Sequence, residues 1–228
     1  MGSLDVGAGI DALVFDFDGV ILDTETVIHD VWREVYQRFG ASFTWEEWVT
    51  SVGTHGGFEP YGSLCERTGA ALPPESVLRR DVDAEIAART RRLQPMRGIR
   101  EWIGAAGRLG LRVAIASSSP VSWVDGLLGE VGLREEFSCI SCRTDQLAAK
   151  PAPDVYLNAC RALGVEPWRA VAVEDSLNGL VAARAAGLRC VAVPGPLTAR
   201  CDFTGADLVL GSLGDVELEA AVAHLGIR

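Results

Sequence analysis

Residues 12–19 read Ala12-Leu13-Val14-Phe15-Asp16-Phe17-Asp18-Gly19. An apolar run with no polar alternation is the mark of a strand buried on both faces, as in a parallel sheet, and the Gly ends it. On an extended chain, residues two apart point to the same side, so the Asp16 and Asp18 carboxylates leave the strand together. They repel one another unless a cation or a proton intervenes; a pair of solvated turn aspartates is the competing reading.

Working outward, further strands are expected at Leu111–Ser117, Ser138–Cys142, Ala170–Glu174, Arg189–Val193 and Asp207–Leu210, with the first running Ala12–Phe17. Helical patterns fall between them at Ile99–Leu109, Val121–Val131, Asp154–Leu163, Leu177–Ala186 and Val216–Leu225. Apolar strands alternating with amphipathic helices imply an α/β chain: a Rossmann-like parallel sheet with helices on both faces. The alternation fails over residues 24–95, where four helices are expected at Glu25–Phe39, Trp45–Val52, Tyr61–Thr68 and Ser76–Arg92. The predicted organisation is a core domain of residues 1–23 and 96–228, with an α-helical cap of residues 24–95 inserted after the first strand.

Ligands of an open parallel sheet bind beyond the carboxyl ends of its strands. The second strand ends in Ser117-Ser118-Ser119-Pro120, where hydroxyls and N–H groups before a helix can cradle phosphate oxygens, although Ser-Pro is also a common helix start. The fourth ends in Glu174-Asp175-Ser176, a second acidic pair for which helix capping is the rival account. Between them stands Lys150-Pro151-Ala152-Pro153. Of 21 basic residues Lys150 is the only lysine, which points to a place where a compact ammonium does what a planar guanidinium does not. Together these give four carboxylates, one ammonium and a hydroxyl cradle at one sheet edge. Hard oxygen ligands with an incomplete protein shell suit Mg²⁺.

The chain has 228 residues and a net charge of −10. Its acidity argues against a nucleic-acid or anionic-membrane partner. No apolar run approaches the roughly 20 residues of a membrane span. The opening MGSLDVGAGI lacks the features of a signal peptide, and Val6 stands where a myristoylation motif wants Ser or Thr. Six cysteines scattered in apolar contexts read as reduced thiols of a cytoplasmic protein. Oligomeric state is not encoded legibly; a monomer is compatible with the sequence.

The ordered set Asp16/Asp18-Gly19, Ser117, Lys150-Pro151 and Glu174-Asp175 resembles the haloacid dehalogenase superfamily. Asp23-Thr24-Glu25, at the entrance to the insert, resembles the branch that includes β-phosphoglucomutase and many small-molecule phosphatases. The resemblance implies that Asp16 is the nucleophile that forms an aspartyl-phosphate and that Asp18 is the general acid and base. It implies that Asp16, the Asp18 main-chain carbonyl, Glu174 and Asp175 hold Mg²⁺. Gly19, Ser117, Ser118 and Lys150 would bind the phosphoryl group, with Ser117 and Lys150 also serving catalysis. The expected reaction is hydrolysis of a small phosphorylated metabolite. A hexose-phosphate mutase is the alternative, disfavoured because Pro120-Val121 follows the cradle where mutase-like chains carry a Lys-Asn pair. Arg89, Arg91 and Arg92 offer cations in the insert but read better as a solvated face. A non-catalytic phosphate-binding module is a third reading, which the intact Asp16, Asp18 and Lys150 oppose. His55, in a Gly-rich loop, reads as a surface histidine and His29 as packing or solvent-facing. Cys139 and Cys142 read as buried thiols, and Trp45 and Trp48 as fillers of the insert's core.

Overall fold

The computed structural model of the protein describes residues 9–69 and 72–225. The reading of the MGSLDVGAGI leader falls largely outside them. Six parallel strands form one sheet: β1 (Ala12–Phe15), β2 (Arg112–Ser117), β3 (Cys139–Cys142), β4 (Ala170–Glu174), β5 (Arg189–Ala192) and β6 (Leu208–Val209). Their spatial order is β3-β2-β1-β4-β5-β6, so the chain builds outward from β1 on one side and then on the other. The crevice where that direction reverses lies at the carboxyl end of β1, between β2 and β4.

Alternate strand residues feed two different cores. Leu13, Phe15, Val113, Ile115, Val171 and Val173 face one side, toward α5 (Ile99–Arg108), α6 (Val121–Glu130) and α9 (Leu218–His224). Ala12, Val14, Ala114, Ala116, Ala170 and Ala172 face the other, against α7 (Asp154–Leu163) and α8 (Leu177–Ala186). The small residues of the second face let α7 and α8 approach the sheet closely, and α8 ends cleanly at Gly187 in the left-handed conformation.

Inserted after β1 come α1 (Thr24–Arg38), α2 (Trp45–Trp48), α3 (Pro60–Thr68) and α4 (Glu75–Thr90), the helices of a cap. They enclose a core of their own: Val31, Trp32, Val35, Tyr36, Trp48, Leu64, Leu78, Val82 and Ile86. Phe43 stacks on Trp48 at 4.9 Å, and the His29 ring meets both edge-on, so His29 is a packing residue. Trp48 fills this core as expected. Trp45 does not: its indole N–H donates to the Leu197 carbonyl of the sheet domain at 2.7 Å, with Arg200 over the ring.

The other departures from expectation have local causes. The helix expected over Trp45–Val52 ends at Trp48 and gives way to a 3₁₀ turn, because Thr50 and Ser51 hydroxyls bond the Glu47 and Trp48 carbonyls. The last helix begins at Leu218, Val216 being extended, and β6 holds only two residues at the sheet edge. Among the described residues no helix is long and apolar enough to cross a membrane.

Ala172, wholly buried between β4 and the helices of the small-residue face, has no space for a larger side chain. Ala172→Leu should destabilise the protein by about 1–3 kcal/mol in urea unfolding, with the denaturant slope unchanged.

Candidate active site

The strand ends bring together what the sequence places far apart. The Lys150 ammonium, 1 % exposed, donates to Asp16 Oδ1 at 2.5 Å and lies 2.6 Å from Glu174 Oε1. It also stands 5.1 Å from the Tyr156 ring centroid, and the Tyr156 hydroxyl donates to Glu174 at 2.5 Å. Asp16, Glu174 and Asp175 offer carboxylate oxygens all within 4.8 Å of one another. The order of strands explains this. Asp16 follows β1 and Glu174 ends β4, its neighbour in the sheet, so two chain-distant acids emerge side by side.

Such a cluster is costly in isolation. Burial drives the Asp16 and Asp175 carboxyls well above their usual range, and neighbouring carboxylates add to the effect; Lys150 opposes it. Burial works to lower Lys150, but Asp16 and Glu174 outweigh it and hold the ammonium charged. Three carboxylates against one ammonium leave two negative charges uncompensated, the complement of a divalent cation. Asp175 Oδ1 is buried with no hydrogen-bond partner, and a Cβ added to Gly19 would fall on the Asp175 carboxylate. An orphaned hard oxygen in a dense acidic group fits a small dication such as Mg²⁺. Both Glu174 oxygens already accept bonds, from Tyr156 and Ser176, which leaves Asp16 and Asp175 the freer pair. Gly179 is forced by the same group, because a side chain there would overlap the Glu174 carboxylate.

Asp18 departs from the expected parallel pair. β1 ends at Phe15, and Ile21 N–H donates back to Phe17 O at 2.9 Å, closing a turn in which Gly19 takes a positive φ of 85°. The Asp18 carboxylate lies outside the acidic cluster, although it borders the same small cavity as Asp16. It accepts from the hydroxyls of Thr24 (2.6 Å), Ser119 (2.6 Å) and Ser117 (3.4 Å), and from the Trp123 indole N–H (2.9 Å). The Ser117 hydroxyl accepts from Ser119 N–H, and Ser118 donates to the Gly53 carbonyl while accepting from Lys150 N–H.

Gly53 belongs to the cap, which closes on the cradle through main-chain groups. Thr54 donates to the Lys150 carbonyl at 2.5 Å and Asn178 to the Val52 carbonyl at 2.9 Å. A side chain at Gly53 would collide with Ser176. Between loop and cradle remains a cavity of about 20 Å³, lined by Asp16, Asp18, Glu25, Gly53, Thr54, Ser118 and Ser119. That is room for a water and too little for a phosphate group.

Sequence reasoning missed three contributors. Trp123 carried no motif. Glu25 was noted only as part of Asp23-Thr24-Glu25, yet its carboxyl accepts from Gly53 N–H at 3.2 Å, and burial followed by the charge of Asp18 pushes it up to about 8. Tyr156 lies in the helix after Lys150, where an aromatic reads as core. Of the residues set aside, His55 is exposed, and Arg89 is bonded to Glu34 and Glu85. The cysteines are all free thiols; burial raises Cys142 to about 12 and also raises Cys139.

Residues 10–187 match the family model of the haloacid dehalogenase-like hydrolases, and the chain belongs to that family. YhcW of Bacillus subtilis is 39% identical over 218 residues, covering 95% of this chain and 98% of its own. Hexitol phosphatase B of Escherichia coli is 31% identical over 215 residues, covering 90% and 93%. Among solved structures, CbbY of Rhodobacter sphaeroides, a variant crystallised with xylulose-(1,5)bisphosphate, superposes with a TM-score of 0.73 at 34% identity, covering 90% of this chain and 96% of its own. The chain is a phosphatase of this family, with the acidic cluster as its candidate metal site.

Glu25 gives a pH-dependent test of the closed loop. Its carboxyl is raised from 4.5 to about 8, so the folded protein retains a proton that the unfolded chain releases. The stabilisation is complete below the unfolded value and drains away as pH rises through the folded one. Glu25→Gln, permanently neutral and still able to accept from Gly53, should remove that dependence. Its melting temperature should exceed that of the wild type increasingly as pH rises from about 4.5 to about 8 and level off above, measured by calorimetry.

Proposed function

We propose that the chain hydrolyses a sugar or polyol monophosphate through an aspartyl-phosphate on Asp16. The observation that carries the reading is the separation of the two aspartates that follow β1. Asp16 lies against the Lys150 ammonium in the acidic cluster, while Asp18 faces away, toward the cradle and the cap loop. One carboxylate is held as a nucleophile where a phosphoryl group's charge can be met. The other is free of that cluster and available for proton transfer.

In the proposed first step an Asp16 oxygen attacks phosphorus and the bond to the leaving oxygen breaks, while Asp18 passes its proton to that oxygen. In the second, water attacks phosphorus, Asp18 takes the water's proton, and the aspartyl–phosphorus bond breaks to release phosphate. Ser117, Ser118 and the main-chain groups after Gly19 hold the phosphoryl oxygens, and Lys150 stays charged throughout, restraining Asp16. Asp16, Asp175, Glu174 and the Asp18 carbonyl would hold Mg²⁺, which would supply positive charge to offset repulsion between the phosphoryl oxygens and the incoming carboxylate. Residues 1–23 and 96–228 form the catalytic unit in this reading, and residues 24–95 the cap that admits substrate and excludes water.

Two observations support the substrate class. Relatives include a hexitol phosphatase and a protein crystallised with a sugar bisphosphate. In this chain two cap arginines are ion-paired: Arg89 with Glu34 and Glu85, and Arg91 with Glu130 at 3.4 Å. A second phosphate would have to compete with those carboxylates, which favours a monophosphate over a bisphosphate.

The test is phosphate release from a panel of hexose, pentose and hexitol monophosphates, with Mg²⁺ and with EDTA. Release should require Mg²⁺, and a panel of inert monophosphates beside a cleaved bisphosphate would overturn the substrate class. Asp16→Asn should lower kcat by about three orders of magnitude or more while leaving the melting profile near that of the wild type. Lys150→Arg, which keeps the charge but not the geometry, should lose at least about a hundredfold.

A further inference from the structure

Four donors surround the Asp18 carboxylate, and they are not equivalent. Thr24, Ser117 and Ser119 present hydroxyls, which rotate and can either donate or accept. Trp123 presents an indole N–H, which is fixed in the plane of its ring and has no lone pair with which to accept. It bonds Oδ1 at 2.9 Å, whereas Ser119 and Ser117 bond Oδ2. An oxygen facing a pure donor has to remain an acceptor. Oδ1 also accepts from the Thr24 hydroxyl at 2.6 Å, and with Thr24 and Trp123 both donating to it, a proton on Asp18 is directed to Oδ2, the oxygen turned toward the serine cradle.

The ring is itself fixed from two sides. Trp123 lies in the first turn of α6 and packs against residues of the sheet-side core and of the cap core alike. With Ala87 and Thr90 of α4 it borders a crease of about 180 Å³ between cap and sheet domain. The indole thus joins the cap, through apolar contact, to the orientation of one carboxylate.

We propose that Trp123 is a positioning residue for Asp18, fixing which carboxylate oxygen carries the proton and aiming it at the leaving-group oxygen. The inference rests on the reading of Asp18 as general acid. It predicts that loss of the indole N–H penalises leaving groups in proportion to their need for a proton, which a merely structural role would not do.

Phenyl phosphate and p-nitrophenyl phosphate are nearly alike in shape, but phenolate needs protonation far more than nitrophenolate. kcat/KM would be measured for both with the wild type, Trp123→Phe and Asp18→Asn, each in the presence of Mg²⁺. Trp123→Phe keeps an aromatic ring and drops the donor. It should lose about tenfold or more with phenyl phosphate and less than about threefold with the nitro ester, a share of the factor that general acid catalysis supplies. The ratio of the two losses is independent of how much variant protein folds, since both are read on one sample. Equal losses, or none, in Trp123→Phe alongside a selective Asp18→Asn would overturn the role given to Trp123. Equal losses in Asp18→Asn itself would overturn the general-acid reading beneath it, and the inference with it.

Discussion

The buried contact between the Lys150 ammonium and the carboxylates of Asp16 and Glu174 is the constraint around which the rest of the site is arranged. Each buried ion costs several kcal/mol to dehydrate, and attraction offsets that cost only when the geometry is tight and the remaining lone pairs are bonded. Here the geometry is set by the sheet. Parallel pairing of β1 with β4 puts Asp16 and Glu174 on adjacent strand ends, and the chain before α7 delivers Lys150 to the gap between them. Tyr156, one turn into α7, bonds the Glu174 oxygen that faces the ammonium. With all three carboxylates ionised the cluster is two charges short of neutrality, the deficit that a dication would fill.

That delivery depends on the unequal faces of the sheet. The face that receives α7 and α8 is built largely of alanine, whereas the opposite face carries leucine, isoleucine, valine and phenylalanine. Small residues bring the helix axes close to the strands, and close helices are what put Lys150, Tyr156 and the start of α8 within hydrogen-bond reach of Glu174. Gly179 belongs to the same requirement, since the first turn of α8 lies against the Glu174 carboxylate. Packing and chemistry are in this sense one design: a bulkier residue on the alanine face would move the site before it unfolded the protein.

The sheet and its acidic edge were legible in the sequence because both obey short-range rules. β4, α7 and α8 agree with their expected limits to the residue, as their apolar runs are bounded by capping and turn residues. Asp16, Lys150, Glu174 and Asp175 could be found because charged residues at the ends of apolar strands are conspicuous. Trp123, Tyr156 and the true direction of Asp18 could not. An aromatic in an amphipathic helix looks like core until the fold shows what its polar atom reaches. The partners of the Asp18 carboxylate come from Thr24, the serine cradle and Trp123, none of which the residues around Asp18 announce.

The closure of the cap was illegible for a different reason. The hydrogen bonds by which Trp45 and the Gly53 loop meet the sheet domain end on the carbonyls of Val52, Gly53, Lys150 and Leu197. A carbonyl has no sequence signature, and the side chains that donate to them are an asparagine, two hydroxyls and an indole, each ordinary in its place. Main-chain acceptors have one consequence for function. They leave His55, exposed in the Gly53–Gly57 loop, free to vary without loosening the closed state, whereas Gly53 and Thr54 are fixed by their own contacts. Glu25 is the exception among these contacts, a side chain bonded to the loop's N–H from within the cavity. It ties closure to a group that also feels the charge of Asp18. Asp18 and the loop that covers it are thereby electrostatically joined, with Trp123 joining them a second time through its bond to Asp18 and its packing against the cap.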